Sequence, residues 1–218
     1  MSLYVAGLWR YPVKTLAGER LPMTTLTAEG VPFDRIVQVH GPEGVRTSRR
    51  HHRLLGLLGP LGDDGRPLVN GHPWDSPDAL ALVKGAAGAD AWLEADTSLE
   101  RFDVLPLLVA TDGAVSMFGR DIRRLRPNLL IAGVAGMAET TWEEAQLEFE
   151  NATVFLDSLR ARCPMTTVDP DTLARDPGVL KDIGRRFGGR LAINAAVIRE
   201  GTVRVGERVQ LARQPGSG

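Results

Sequence analysis

A mainly β fold with short helices, of the α+β class, is predicted by three features of the sequence. Glycine (24) and proline (14) recur at close intervals through 218 residues and cut the chain into short pieces. The segments between them hold short apolar runs, some with alternating apolar and polar positions, as half-buried strands do. Turn signals, Asp112-Gly113 and Glu200-Gly201 among them, punctuate these runs.

In chain order, Leu3 to Trp9 reads as a first strand, Arg20 to Thr27 as a second and Ile36 to His40 as a third, which together make a small N-terminal β unit. Arg53 to Leu61 fits either a short helix or a strand. Gly62 to Pro77, rich in Gly, Asp and Pro, reads as a loop and as the seam between two halves, 1–80 and 81–214. Beyond it, Ala79 to Val83 and Ala91 to Glu94 read as short strands, Leu105 to Ala110 as a stronger one and Val115 to Arg124 as a short helix, with Asp112-Gly113 as the turn between the last two. Leu129 to Ala132, Leu147 to Phe149, Thr153 to Leu159, Ala195 to Arg199 and Val203 to Val209 complete the strands, and Asp176 to Arg186 is the best late helix. The end, from Gln214 on and 215–218 above all, is expected to be a disordered tail.

Hydrophobic residues make up 43% of the chain, enough for a packed core without disulfide or metal staples. Lysine and arginine total 26 against 27 aspartate and glutamate, so no global positive field draws the protein to nucleic acid or to an anionic membrane, and any anion binding must be local. Runs such as Val104 to Ala110 are far below the roughly 18 residues needed to cross a bilayer. One cysteine forms no internal disulfide, and the start lacks the basic and apolar regions of a secretory signal. A soluble protein in the reducing cytoplasm is the expectation.

The most informative stretch is Arg160-Ala-Arg-Cys-Pro-Met-Thr-Thr-Val-Asp-Pro-Asp-Thr172, which sets the one cysteine among cationic, hydroxyl and carboxylate side chains. Cationic neighbours such as Arg160 and Arg162 favour the thiolate, the form that ligates metals or attacks electrophiles. Taken alone, Cys163 fits a small buried hydrophobe about as well.

This stretch resembles the signature around the metal-binding cysteine of MOSC-domain proteins. Three further matches fall in that family's order: Tyr11-Pro-Val-Lys-Thr-Leu-Ala-Gly-Glu19, Arg126-Pro-Asn-Leu-Leu-Ile131 and Gly201-Thr-Val-Arg-Val-Gly-Glu207. The first is similar to the N-terminal β-barrel unit that precedes the MOSC domain in amidoxime-reducing proteins. The resemblance implies a β-barrel-like unit joined to a MOSC β-barrel domain, with the chain able to cross between them. It also implies a molybdenum cofactor of the molybdopterin type bound in a basic cleft between the units. Cys163 is then the catalytic residue and the protein ligand to the metal, a soft thiolate suited to a centre that changes oxidation state. Pyridoxal phosphate is not expected.

The same resemblance assigns Lys14 and Thr15, with Arg35 from Phe33-Asp-Arg35, to the cofactor's phosphate and pterin. A lysine point charge and an arginine fork both suit phosphate, although Lys14 read alone is an ordinary solvated lysine. Arg126 and Asn128 match another cofactor position, and Arg162 flanks the cysteine. Thr47, Ser48 and Arg49 lie in the basic cluster Arg46 to Arg53, which also reads as a solvated loop. Asp169 is expected to shape the loop that presents sulfur, or simply to begin a turn before Pro170. Trp142 is read as packing, and Thr111 and Asp112 as a turn near the cofactor.

The chain departs from the family pattern at Ala161 where relatives carry serine, in Gln146-Leu-Glu-Phe-Glu-Asn where glycine is often found, at Leu173 where they carry glycine, and at Arg190-Leu191 where some carry an aromatic. The resemblance further implies an oxidoreductase that removes oxygen from N-hydroxylated or N-oxide small molecules. One cysteine cannot hold an iron–sulfur cluster, so electrons are expected from a separate flavin or iron–sulfur donor protein. Two other readings stay open at this point. One is a non-catalytic carrier of molybdenum cofactor, or of sulfur on Cys163. The other is a cysteine hydrolase with His51 or His52 as base.

Overall fold

The computed structural model describes residues 2–213 and is mainly β with three short α-helices. The tail expected at 214–218 lies outside the described residues. The strands are β1 (Leu3–Arg10), β2 (Glu19–Leu21), β3 (Met23–Leu26), β4 (Val37–Gly41), β5 (Gly44–Val45), β6 (Leu68–Val69), β7 (His72–Pro73), β8 (Trp92–Ala95), β9 (Leu107–Thr111), β10 (Leu129–Ala132), β11 (Ala145–Glu148), β12 (Thr153–Ala161), β13 (Arg190–Arg199), β14 (Gly201–Arg204) and β15 (Arg208–Arg213). The helices are α1 (Pro77–Ala87), α2 (Asp112–Phe118) and α3 (Pro177–Phe187). None is long and apolar enough to cross a membrane.

Seven strands close a barrel in the order β1, β10, β9, β13, β12, β11, β15 and back to β1. The first strand of the chain therefore completes a barrel whose other members lie between residues 107 and 213. It pairs antiparallel with β10 (Leu8 opposite Leu129) on one side and with β15 (Leu3 opposite Val209) on the other. Only β9 and β10 run parallel, the crossover between them passing through α2. Val5, Leu8, Val109, Ile131, Leu147, Val154, Leu156 and Ile193 fill the interior. At Gly7 the pairing of β1 with β10 slips by a residue, and a Cβ there would lie 2.4 Å from the Trp9 ring, so only glycine lets that indole fold across the strand.

A smaller unit is built from the sheet β5-β4-β8, the β6–β7 hairpin, α1 and a 3₁₀ turn at His52–Gly56. Its core joins Val13, Leu16, Val37, Val39, Leu54, Val69, Val83 and Ala87. The Gly62 to Pro77 segment, expected as an open loop and seam, is internal to this unit, since Val69 and α1 share one core with Val13.

Several local expectations change. Residues 79–83 form a helix, not a strand: Ser76 Oγ accepts from Ala79 N–H, Pro77 sits at the first position, and Ala79, Val83 and Ala87 line one buried face at a spacing of four. A short unbroken apolar run of this kind fits strand or helix, and the cap decides between them. The helix expected at 115–124 starts earlier, because Thr111 caps it by accepting from Ala114 N–H, and it ends at Gly119 with φ 67°. Asp112-Gly113 is thus its first turn. Pro22, which has no N–H to donate, separates β2 from β3, and Gly206 with φ 90° separates β14 from β15, so two expected strands each become two. At α3 the sequence reading holds: Asp176 caps it, Pro177 opens it and Gly188 with φ 60° closes it.

Candidate functional site

The chain crosses from the small unit to the barrel over residues 96–106, and beside that crossing a cleft opens between the two units. Its cavity volume is about 90 Å³, and it opens to solvent. Its walls come from the loop after β1 (Lys14, Thr15), Arg35, the loop after β5 (Thr47, Arg49), the crossover (Phe102 to Leu105), Arg126 and Asn128, and the end of β12 with Cys163. Lys14, Arg35, Arg49, Arg126, Arg160 and Arg162 line it against one carboxylate, Asp103. A cleft with that imbalance favours an anion although the whole chain is nearly neutral.

Cys163 sits half-buried where β12 ends, in extended conformation. The sequence Cys-Pro-Met-Thr-Thr writes its own turn: Thr166 N–H and Oγ1 donate to Cys163 O at 3.1 and 2.9 Å, and Thr167 Oγ1 donates to Pro164 O at 2.6 Å. Asp169 then holds the next loop. Its Oδ1 accepts from Asp171 N–H, Thr172 N–H and Thr172 Oγ1, and its Oδ2 accepts from Arg124 at 2.8 Å. Asp169 does not line the cleft. Leu173, at the position where glycine was expected, has φ 59°, and its Cδ1 lies 2.7 Å from where a Cβ on Gly56 would stand. The left-handed backbone that glycine would supply is kept, and the leucine packs on the small unit's 3₁₀ turn.

A buried polar column stands behind the cleft. Asp34 is wholly inaccessible; Oδ1 accepts from Tyr11 N–H at 2.7 Å, and Oδ2 accepts from Asn128 Nδ2 at 3.1 Å and from Arg35 Nη1. The Arg35 guanidinium lies over the rings of Tyr11 and Phe102, and that of Arg126 lies 4.1 Å from the Tyr11 centroid. Tyr11 Oη donates to Pro127 O at 3.0 Å, and burial pushes its phenol up to about 12 despite the opposing pull of Arg126 and Arg35. Burial lowers Arg126 and Arg162 to about 10, which still leaves both fully protonated at neutral pH. Each has one nitrogen anchored, Arg126 Nη1 on Leu16 O and Arg162 Nη2 on Leu125 O.

Three buried polar atoms of cleft residues have no hydrogen-bond partner: Thr15 Oγ1, Arg126 Nη2 and Arg162 Nε. Such orphans are uncommon in folded proteins, and one that lines a cleft is open to a ligand or to water. Thr15, Arg35 and Arg126 also have φ of 84°, 58° and 56°. Left-handed backbone costs a non-glycine residue about 1–2 kcal/mol, and such strain concentrates at binding sites.

Asn128 touches the cleft, but its amide is spent on structure: Oδ1 accepts from Leu108 N–H, and Nδ2 donates to Trp9 O and Asp34. Ser48 is fully buried and does not line the cleft, although its Oγ too is unpaired. Asp112 instead caps backbone amides, accepting from Gly113, Val134 and Gly133 N–H, and Thr111 donates to the buried Glu139. Trp142 is core. Among the described residues no histidine lines the Cys163 cleft, and His51 faces a neighbouring polar basin, so neither His51 nor His52 stands beside the thiol as the hydrolase reading requires.

Asp103, Asp34 and Tyr11 were not singled out from the sequence as site residues. Burial alone would raise the Asp103 carboxyl, but Lys14, with Arg49 and Arg160, outweighs it and holds the group below the usual range. Nothing local in Arg101-Phe-Asp103 signals this, because its partners lie 54 residues or more away in sequence.

The geometry also tests a molybdenum cofactor. Among the described residues no group of three or more His, Cys, Asp or Glu side chains is placed to hold a metal ion. A metal bound through Cys163 therefore needs its other ligands from an organic scaffold, and the excess of cations and unpaired donors around the thiol suits a scaffold bearing phosphate. The residues present fit the group.

A family model described as the MOSC domain matches residues 112–210, and one described as the MOSC N-terminal beta barrel domain matches residues 2–71. Among solved structures, the YUAD protein from Bacillus subtilis superimposes with a TM-score of 0.55 over 98% of each chain at 13% identity, which supports a shared fold. YiiM from Geobacillus stearothermophilus aligns over 52% of this chain and 57% of its own, at 15% identity and a TM-score of 0.40. No curated protein matches the sequence.

Proposed function

Because the chain belongs to the MOSC-domain proteins and carries their N-terminal β-barrel domain, we propose that it binds a molybdenum cofactor of the molybdopterin type in the cleft and acts as an oxidoreductase. The observation that carries this reading is Cys163 set beside six cationic side chains and three unpaired buried polar groups. Cys163 Sγ is the protein ligand to the metal. Lys14, with Arg49 and Arg160 beside it, holds the phosphate, Arg35, Arg126 and Arg162 complete the cationic wall, and Thr15 Oγ1 and Thr47 supply neutral hydrogen bonds to the organic part. When bound, the cofactor supplies two-electron chemistry with oxygen transfer.

The protein's own contribution is placement and charge. Asp34 fixes Arg35 and the Tyr11 backbone, so the cationic wall is assembled before a ligand arrives and little reorganisation remains to be done. Pro164 and the two threonine bonds fix the turn that carries the thiol. We assign the reaction to reduction of N-hydroxylated or N-oxide small molecules, in which two electrons and two protons remove one oxygen atom as water. A separate flavin or iron–sulfur protein in the reducing cytoplasm supplies the electrons.

The test is molybdenum content by elemental mass spectrometry, on protein from a cofactor-competent host, for wild type and Cys163→Ala. One metal per wild-type chain with loss in the variant supports the assignment. Absence of metal from wild type, while a control molybdenum protein from the same host is loaded, overturns it.

A further inference from the structure

Asp103 makes an unusual set of bonds. Its Oδ1 lies 3.1 Å from Lys14 Nζ, and its Oδ2 lies 2.8 Å from Arg49 Nη2 and 3.2 Å from Arg160 Nη2. The three cations come from three separate elements, and the carboxylate comes from a fourth, the crossover between the units. Neither oxygen accepts from a backbone N–H or a neutral side chain, unlike those of Asp34, Asp112 and Asp169, which build the fold. The crossover is secured without it. Arg101, almost wholly buried, donates to Asp34 O, Thr97 O, Ser98 O and Glu29, and Phe102 is buried beside it. About a third of the Asp103 side chain is exposed, so it has a path into water once a ligand takes over its three cations.

We propose that Asp103 is an internal counter-anion that occupies the cation cluster of the cleft until a ligand phosphate displaces it, and that it thereby selects dianions over monoanions. The inference rests on the cleft being an anion site, as in the function proposed above. A tethered carboxylate competes at an effective concentration of at least the millimolar range. A free monoanion that displaces it exchanges one charge of −1 for another and gains nothing among Lys14, Arg49 and Arg160. A phosphomonoester dianion adds a second negative charge facing three positive ones, with more oxygens to share among their donors. Without Asp103, the three cations would accept either class of anion, and the preference would narrow.

The experiment uses full-length protein free of cofactor, with inorganic phosphate and acetate as probes. It is run at about pH 8, where phosphate is largely dianionic, and is read by calorimetric titration and thermal shift. Wild type should bind phosphate and not acetate. Asp103→Asn, which keeps the shape and removes the charge, should bind phosphate about tenfold more tightly or better, tenfold being a lower bound for deleting one like charge a few ångströms from a dianion near a surface. It should also acquire an acetate response. Glu148→Gln, an exposed carboxylate on β11 away from the cleft, controls for net charge and should match wild type. Unchanged or weaker phosphate binding in Asp103→Asn, together with loss of binding in Lys14→Ala, would overturn the displacement idea and leave the anion site intact. No phosphate response in any of these proteins would overturn both.

Discussion

Replacing Asp34 with asparagine should separate the scaffold of the cleft from its lining. The carboxylate is wholly buried and accepts on both oxygens, from Tyr11 N–H, Asn128 Nδ2 and Arg35. Asparagine offers one acceptor. If its oxygen stays on Tyr11 N–H, its amide hydrogens face the Asn128 amide and the Arg35 guanidinium, both donors. Two bonds are lost, and the arginine charge loses its partner. Breaking a buried ion pair by removing one side costs about 3–5 kcal/mol. Arg35 retains some exposure, which puts the expected cost at the low end, about 3 kcal/mol. For a chain of this length, that lowers the melting temperature by roughly 6–12 °C. Scanning calorimetry with circular dichroism as a second probe measures it. Arg35→Met in the same background should recover part of the loss, because the uncompensated charge goes with it. A melting temperature within about 2 °C of wild type would refute the claim that Asp34 organises the cationic wall.

Four other outcomes are expected. Thr15→Gly should leave the melting temperature of cofactor-free protein within about 3 °C of wild type, since relief of about 1 kcal/mol of strain at φ 84° is offset by the roughly 0.4–1 kcal/mol of extra backbone entropy that glycine loses on folding; a fall of about 6 °C or more would show that the threonine is comfortable there. Phenolate absorbance should include one component that ionises only near pH 12 and that disappears in Tyr11→Phe. Asp96, Asp103, Asp121 and Asp169 are all held below the usual carboxylate range, so their stabilisation is complete above about pH 4 and is lost as pH falls through their lowered values. Glu139 has the opposite sign. Burial raises it, so the folded protein prefers its neutral acid, and Glu139→Gln should gain on wild type as pH rises above about 4.3. A stability difference between these two proteins that is flat from pH 4 to 8 would contradict that.

The sequence was most legible where a side chain acts through its immediate neighbours. The turn at Cys163, the Asp169 loop and the caps of α3 are each closed by bonds within a few residues, and short motifs carry them. Lys14, Thr15, Arg35, Arg49, Arg126, Arg162 and Cys163, assigned by family resemblance from distant stretches, line one cleft in the structure. What could not be read is what depends on the closing of the barrel. Asn128 looks like a ligand-facing amide until Trp9, Asp34 and Leu108 are brought to it, and Asp103 looks like a surface acid until three cations converge. The misreading of α1 has a local origin: a short continuous apolar run fits a strand as well as a helix, and Ser76-Pro77 decides for a helix.

The place of β1 in the barrel carries a consequence for how the protein is made. On a ribosome, the first strand emerges well before its partners β10 and β15. Leu8–Arg10 can pair with β2 at once, but the edge that β10 takes and the Leu3–Tyr4 stretch that β15 takes must wait through more than 100 residues of translation, while the small unit between them can already assemble. Closure then depends on contacts very distant in sequence, the arrangement that folds slowly and exposes strand edges meanwhile. A C-terminal fragment that begins at the crossover should therefore be a barrel with a missing stave, prone to aggregate and open to rescue by a peptide corresponding to residues 2–10.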